Sequence, residues 1–151
     1  MITASQVSHV GFSGSREGMS KRQLDIVRHW LLEICMYPNA PIWFHHGDCI
    51  GADAEAHQIA KEYGYKIHLH PPLDPKYRAN LGGECNIVEE CWSYHGRNQR
   101  ILKASQLLIA TPKKVLSQGG GTWYTILKAI EWKIPRIVVD PDGNITKEGI
   151  L

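Results

Sequence analysis

The sequence lacks paired cysteines, long apolar runs and blocks of like charge. Its four cysteines, Cys35, Cys49, Cys85 and Cys91, form no CxxC pair, and reduced thiols are the simplest expectation. No apolar stretch is long enough to span a bilayer. The first residues, Met1-Ile2-Thr3-Ala4-Ser5-Gln6, lack the basic region and apolar run of a secretory signal. A cytoplasmic protein with no membrane partner is therefore expected. The formal net charge is only +2, with a pI of about 8.3, too mild to argue for nucleic acid as a partner. There is no internal repeat and no low-complexity segment. The strict dinucleotide fingerprint GxGxxG is absent, so NAD(P)-linked hydride transfer is not expected.

What is present is a chain of 151 residues, 43% hydrophobic and 21% charged. That suits one packed domain, 1–151, and not a disordered chain. Apolar clusters predict strands over 7–13, 42–46, 66–70, 106–110 and 135–140. Apolar residues three and four apart predict helices between them. The first carries Leu24, Val27, Leu31 and Ile34 behind a Ser20 N-cap. The second runs from Ala52 to about Tyr63, with Gly64 as its C′ residue. Others cover 96–104 and 122–132. Residues 71–95 read as a long irregular segment of the kind that often forms a lid, with a short helix expected over 86–92. A turn and tail, in the form of a hairpin, is expected after Asp140. Alternating strands and helices imply an α/β fold: a Rossmann-like three-layer sandwich with a mainly parallel sheet of about five or more strands.

Three glycine-rich segments each follow a strand and precede a helix: Gly11-Phe12-Ser13-Gly14-Ser15-Arg16, His46-Gly47-Asp48-Cys49-Ile50-Gly51-Ala52-Asp53, and Gly119-Gly120-Gly121-Thr122. Glycine lets backbone approach a ligand closely, and the N–H groups of a helix start then face an anion. In parallel sheets ligands gather at the carboxyl ends of the strands. One such turn is more often a tight connection than a site; three on one sheet edge favour binding.

Together with Arg97-Asn98, these segments resemble the SLOG superfamily of Rossmann-like domains, most closely its YspA-type branch of small phage and bacterial proteins. The resemblance covers about 7–140. It is similar, more distantly, to the LOG phosphoribohydrolases and DNA-processing protein A. It implies a nucleotide or nucleotide-derived ligand, of ADP-ribose or cyclic ADP-ribose type, bound over the same strand ends. It also implies sensing or sequestering of a signalling nucleotide in phage–bacterium conflict, and a homo-oligomer.

The LOG pattern Gly-Gly-x-Gly-Thr-x-x-Glu falls on Gln118 to Thr125, so Gln118 replaces a glycine and Thr125 replaces the carboxylate. Cleaving an N-glycosidic bond needs a carboxylate near the oxocarbenium-like centre, which leans the reading away from an enzyme. A nucleotide N-glycosidase would need a displaced carboxylate from Asp48, Asp53 or Glu17. A DNA-associated module is a further alternative, disfavoured by the charge.

The expected ligand-binding set is Ser13, Gly14, Ser15, Arg16, Gly47, Asp48, Asp53, Arg97, Asn98, Gly119, Gly120, Gly121 and Thr122, with Tyr77 and Arg78 as a lid. Each has a plain alternative: Asp53 as a helix-start cap, Asp48 as an Asx-turn residue, Arg97 and Asn98 as ordinary helix-start residues. Of Trp123 and Tyr124, one is expected to stack on a base and one to pack in the core. Eight histidines occur, but His45-His46, His68-x-His70 and Cys85/Cys91/His95 match no usual zinc spacing. His68 and His70 fall on one strand face, which can hold a metal, but two packed histidines at a strand end are the expectation, and no metal and no cofactor are expected.

Overall fold

The computed structural model describes residues 1–37, 41–114 and 120–151. A seven-stranded sheet forms its centre, with strand order β4-β3-β2-β1-β5-β6-β7. The strands are β1 (His9–Gly14), β2 (Trp43–His46), β3 (Lys66–Leu69), β4 (Ile87–Val88), β5 (Leu107–Thr111), β6 (Arg136–Val139) and β7 (Ile145–Glu148). All neighbours pair in parallel except β6 and β7, whose antiparallel hairpin closes one edge. The helices are α1 (Lys21–Cys35), α2 (Ala52–Glu62), α3 (Tyr94–Ala104) and α4 (Gly121–Glu131). This is the expected α/β Rossmann-like sandwich.

Side-chain alternation along the strands divides the core in two. On one face Val10, Phe12, Phe44, Ile67, Leu69, Leu107, Ile109, Ile137 and Val139 pack against Val27, Leu31 and Ile34 of α1 and Ala56, Ile59 and Ala60 of α2. On the other, Leu108 and Ala110 meet Leu102 of α3 and Ile126 and Ala129 of α4. The helix ends follow from local chemistry. Ser20 caps α1 in a reciprocal box with Gln23, and Gly64, at φ +80°, turns the chain out of α2.

Residues 71–95 depart from expectation. The short helix expected over 86–92 is instead the edge strand β4, pairing Ile87 with His68 and Val88 with Leu69. The segment before it is not structureless: it holds two 3-10 turns, Pro75–Tyr77 and Gly82–Glu84. Two exposed apolar residues in a polar stretch carry no helical period, and the free edge of β3 takes them up as a ladder. Among the described residues, no helix is long and apolar enough to cross a membrane.

Candidate functional site

The sheet order reverses between β1 and β5, and a cleft opens at the carboxyl ends of these two strands. Its room is about 210 Å³, and its lining includes Gly14, Ser15, Arg16 and Glu17 after β1, Pro112, Lys113 and Lys114 after β5, and Gly120, Gly121, Thr122 and Trp123 at the start of α4. In an open parallel sheet this is the switch point where connections part to opposite sides and leave a crevice.

The start of α4 is built to face an anion. Gly120, its N-cap, sits at φ +94°, and no described side chain caps the helix. The first-turn N–H groups therefore keep their hydrogen-bonding capacity, and the helix dipole adds positive character. Lys113 and Lys114 line the same opening. Glu17 pairs with Lys113 at 2.7 Å on the rim. The Arg16 guanidinium carbon lies over the Tyr77 ring, 3.8 Å from its centroid.

The second glycine turn behaves differently, because the chain fills its own donors. Asp53 Oδ2 accepts from the N–H groups of Gly47 at 3.1 Å and Cys49 at 3.3 Å. Burial pushes the Asp53 carboxyl up to about 6, against the opposing pull of the Arg97 guanidinium and those two N–H groups. Gly51, at φ +85°, brings this turn against the first one: a Cβ there would overlap the Arg16 carbonyl, and Ala52 N–H donates to Ser15 O at 2.9 Å.

Asp48 is fully buried. Its Oδ2 takes two nitrogens of Arg78, each at 3.1 Å, and its Oδ1 accepts from Leu81 N–H at 2.9 Å. In place of the open-turn carboxylate expected at Asp48 stands a buried ion pair. Tyr77 and Arg78, expected as a lid, instead fasten residues 75–81 onto the two turns: Tyr77 under Arg16, Arg78 on Asp48, with Ile50 N–H donating to Tyr77 O at 2.8 Å.

Arg97 is 3% exposed and points inward from α3. It donates to Gly47 O and His70 O, touches the Cys49 sulfur, and lies over the Tyr94 ring. Ser13 and Asn98 line a narrow recess with Asp53 and Arg97, sharing Gly14, Arg16 and Tyr94 with the main cleft. Thr125, at the position of the LOG carboxylate, is buried and donates to Gly121 O at 3.0 Å. Gly119 and Gln118 fall outside the described residues. Trp123 lines the cleft and donates from Nε1 to Lys114 O at 3.1 Å, whereas Tyr124 stacks on His95 at 3.9 Å between centroids. The expected set thus divides: Gly14, Ser15, Arg16, Gly120, Gly121 and Thr122 share the open cleft, while Gly47, Asp48, Asp53 and Arg97 build its supporting floor.

No protein-family model matches the chain, and no curated protein matches it. Solved structures do. The chain is similar to the Moco carrier protein from Chlamydomonas reinhardtii, with a TM-score of 0.63 and 20% identity over 86% of this chain and 74% of that one. It is similar to DNA processing protein A from Streptococcus pneumoniae, with a TM-score of 0.64 and 19% identity over 91% of this chain and 51% of that one, about half its length. The protein TM1055 matches with a TM-score of 0.57 and 15% identity over 85% of this chain and 72% of that one. The likeness is one of fold. It agrees with the Rossmann-like architecture read from the strand order.

Sequence reasoning missed the histidine arrangement. His45 and His46 were considered as neighbours, yet alternation sends them to opposite faces. His46 meets His57 at 2.9 Å under α2, while His45 joins His70 at 3.0 Å on the other side. Burial pushes both His45 and His70 down to about 3, helped by the nearby His68, so both rings are neutral at ordinary pH. Only strand register, which is non-local, could have revealed this.

Proposed function

We propose that the cleft between the ends of β1 and β5 binds a phosphate-bearing nucleotide or nucleotide-derived ligand, of ADP-ribose or cyclic ADP-ribose type, without cleaving it. One observation carries this reading: the start of α4, which no described side chain caps, converges with Arg16, Lys113 and Lys114 on a single opening at the switch point. A phosphate would accept from the α4 N–H groups, Arg16 would clamp it from the β1 side, and Trp123 offers a flat apolar surface for a base. Binding is favoured over turnover because Thr125 is buried and hydrogen-bonded away and each candidate carboxylate is engaged: Asp48 by Arg78, Asp53 by the Gly47 and Cys49 N–H groups, and Glu17, on the cleft lining, by Lys113. The likeness to a protein named for carrying Moco supports a small-molecule cargo. Retention without cleavage is what sensing or sequestering a signalling nucleotide requires.

The test is mass spectrometry of the purified protein after mixing with AMP, ADP-ribose, cyclic ADP-ribose isomers and NAD, desalting, and denaturing. One ligand should return intact, and Arg16→Ala should weaken it by about tenfold or more, the worth of a charge-assisted hydrogen bond. Unchanged affinity in that variant removes the proposed pocket. Release of a free base or ribose phosphate transfers the function to an N-glycosidase, and a salt-sensitive shift of DNA to a DNA-associated module.

A further inference from the structure

Adjacent strands β2 and β3 place three imidazoles on one face of the sheet. His45 and His68 are cross-strand partners in parallel register, and His70 follows His68 by two residues, so all three side chains leave the same side. The His68 and His70 rings stack with centroids 4.5 Å apart and planes 13° apart. His45 Nδ1 stands 3.0 Å from His70 Nε2. One ring nitrogen from each of the three lies within 4.8 Å of the other two. On the solvent side, His68 Nε2 meets Glu89 Oε1 at 2.8 Å. His9 Nδ1 meets His45 Nε2 at 3.0 Å.

Packing alone accounts poorly for this cluster. A sheet face that only needed filling would take Val or Ile, which bury without desolvating a polar group.

We propose that His45, His68 and His70 form a binding site for a divalent transition-metal ion of the zinc class, with Glu89 as the carboxylate that orients His68. Tetrahedral zinc with nitrogen ligands at about 2.0–2.1 Å sets neighbouring nitrogens about 3.3 Å apart. The His45–His70 pair needs only a small opening to reach that spacing, and His68, whose Nε2 is held by Glu89, must turn out of its stack on His70 to bring its other nitrogen to the same ion. A carboxylate hydrogen-bonded to a metal-ligating histidine fixes the ring and raises its basicity. Arg97 and Arg100 place positive charge near His70, which disfavours hard cations held by charge alone; three imidazoles instead select zinc, nickel, cobalt or copper over magnesium and calcium. None of the three histidines lines the cleft or its recess. The ion would therefore be structural, tying β2 and β3 to the segment that follows β4.

The experiment is a titration of the chelator-stripped full chain, free of any histidine tag, with Zn²⁺ at neutral pH, repeated with Co²⁺ for its visible spectrum. One Zn²⁺ per chain should bind with micromolar or tighter affinity, about −8 kcal/mol or better, and an excess of Mg²⁺ should not compete. His68→Ala should weaken binding by about tenfold or more, and Glu89→Gln, which keeps the side-chain shape, should weaken it by about tenfold. His29→Ala, on the exposed side of α1, should leave it unchanged. Zn²⁺ should raise the melting temperature of the unmodified chain and not that of His68→Ala. Absence of saturable Zn²⁺ binding overturns the proposal. So does equal affinity in the unmodified chain and both site variants, or loss of affinity in His29→Ala alone.

Discussion

Replacing Arg97 by methionine keeps an unbranched, flexible side chain, shortens it, and removes its charge and donors. The guanidinium donates to Gly47 O and to His70 O at 3.3 Å, contacts the Cys49 sulfur at 3.8 Å, and sits 4.8 Å from the Tyr94 ring centroid. Two buried carbonyls would lose charge-assisted partners, each worth about 1.5–3 kcal/mol. Asp53 would lose the positive charge that opposes its burial. Removing one side of such a buried arrangement typically costs about 3–5 kcal/mol, a large share of the roughly 5–15 kcal/mol that holds a domain folded. Urea unfolding of the two proteins, compared at unchanged m-value, measures it. Adding Asp53→Asn should restore part of the loss, because the neutral amide no longer needs the compensating charge, and the two substitutions should be non-additive by about 1 kcal/mol or more. A loss below about 1 kcal/mol would refute the view of Arg97 as the brace of the second turn. It would return Arg97 to the role of ligand contact expected from sequence.

Two further outcomes follow from the same floor. The Asp53 carboxyl stands at about 6 in the fold against 3.8 for the free group. The folded state then binds more protons than the unfolded chain between those values, so its contribution is present in full below about pH 4 and is lost as pH rises through about 6. Unfolding free energies of the unmodified chain minus those of Asp53→Asn should therefore fall by roughly 2–2.5 kcal/mol from pH 4 to pH 7; a flat difference would contradict the placement of Asp53. Gly51→Ala forces a side chain into φ +85° and against the Arg16 carbonyl. It should destabilise by about 2–3 kcal/mol, lowering the melting temperature by roughly 5–10 °C, and an unshifted melt would mean that the two turns do not interlock.

Local chemistry was legible in the sequence where a few neighbouring residues decide it. Ser20 with Gln23, Gly64 after Tyr63, and the apolar runs of β1, β5 and β6 each specify their element without distant help. The mainly parallel sheet followed from the alternation of strand and helix, whereas the strand order, and with it the switch point between β1 and β5, came only from the structure. What escaped was set by contacts distant in sequence. Ile87 and Val88 form a strand only because β3 offers a free edge. Asp48 looks like an exposed turn residue until Arg78, thirty positions on, folds over it. Arg97 resembles a solvent-facing helix-start residue until α3 packs down on the second turn. The spacing of His68 and His70 puts that pair on one face, but His45 joins them only through the register of β2 against β3.

The stack of Arg16 on Tyr77 has a bearing on how tightly the cleft can hold an anion. A free arginine carries about 2 kcal/mol of rotamer entropy that it surrenders when it grips a ligand. Here the guanidinium carbon already sits 3.8 Å from the centre of an aromatic ring, and a guanidinium that rests on a ring keeps in-plane donors for other partners. Much of the ordering penalty is therefore settled during folding, before any ligand arrives. Because residues 75–81 also hold Asp48, the fit of one loop sets how rigid Arg16, the arginine proposed to bind, is. Loosening that loop, far from any phosphate, should reveal itself as faster ligand release.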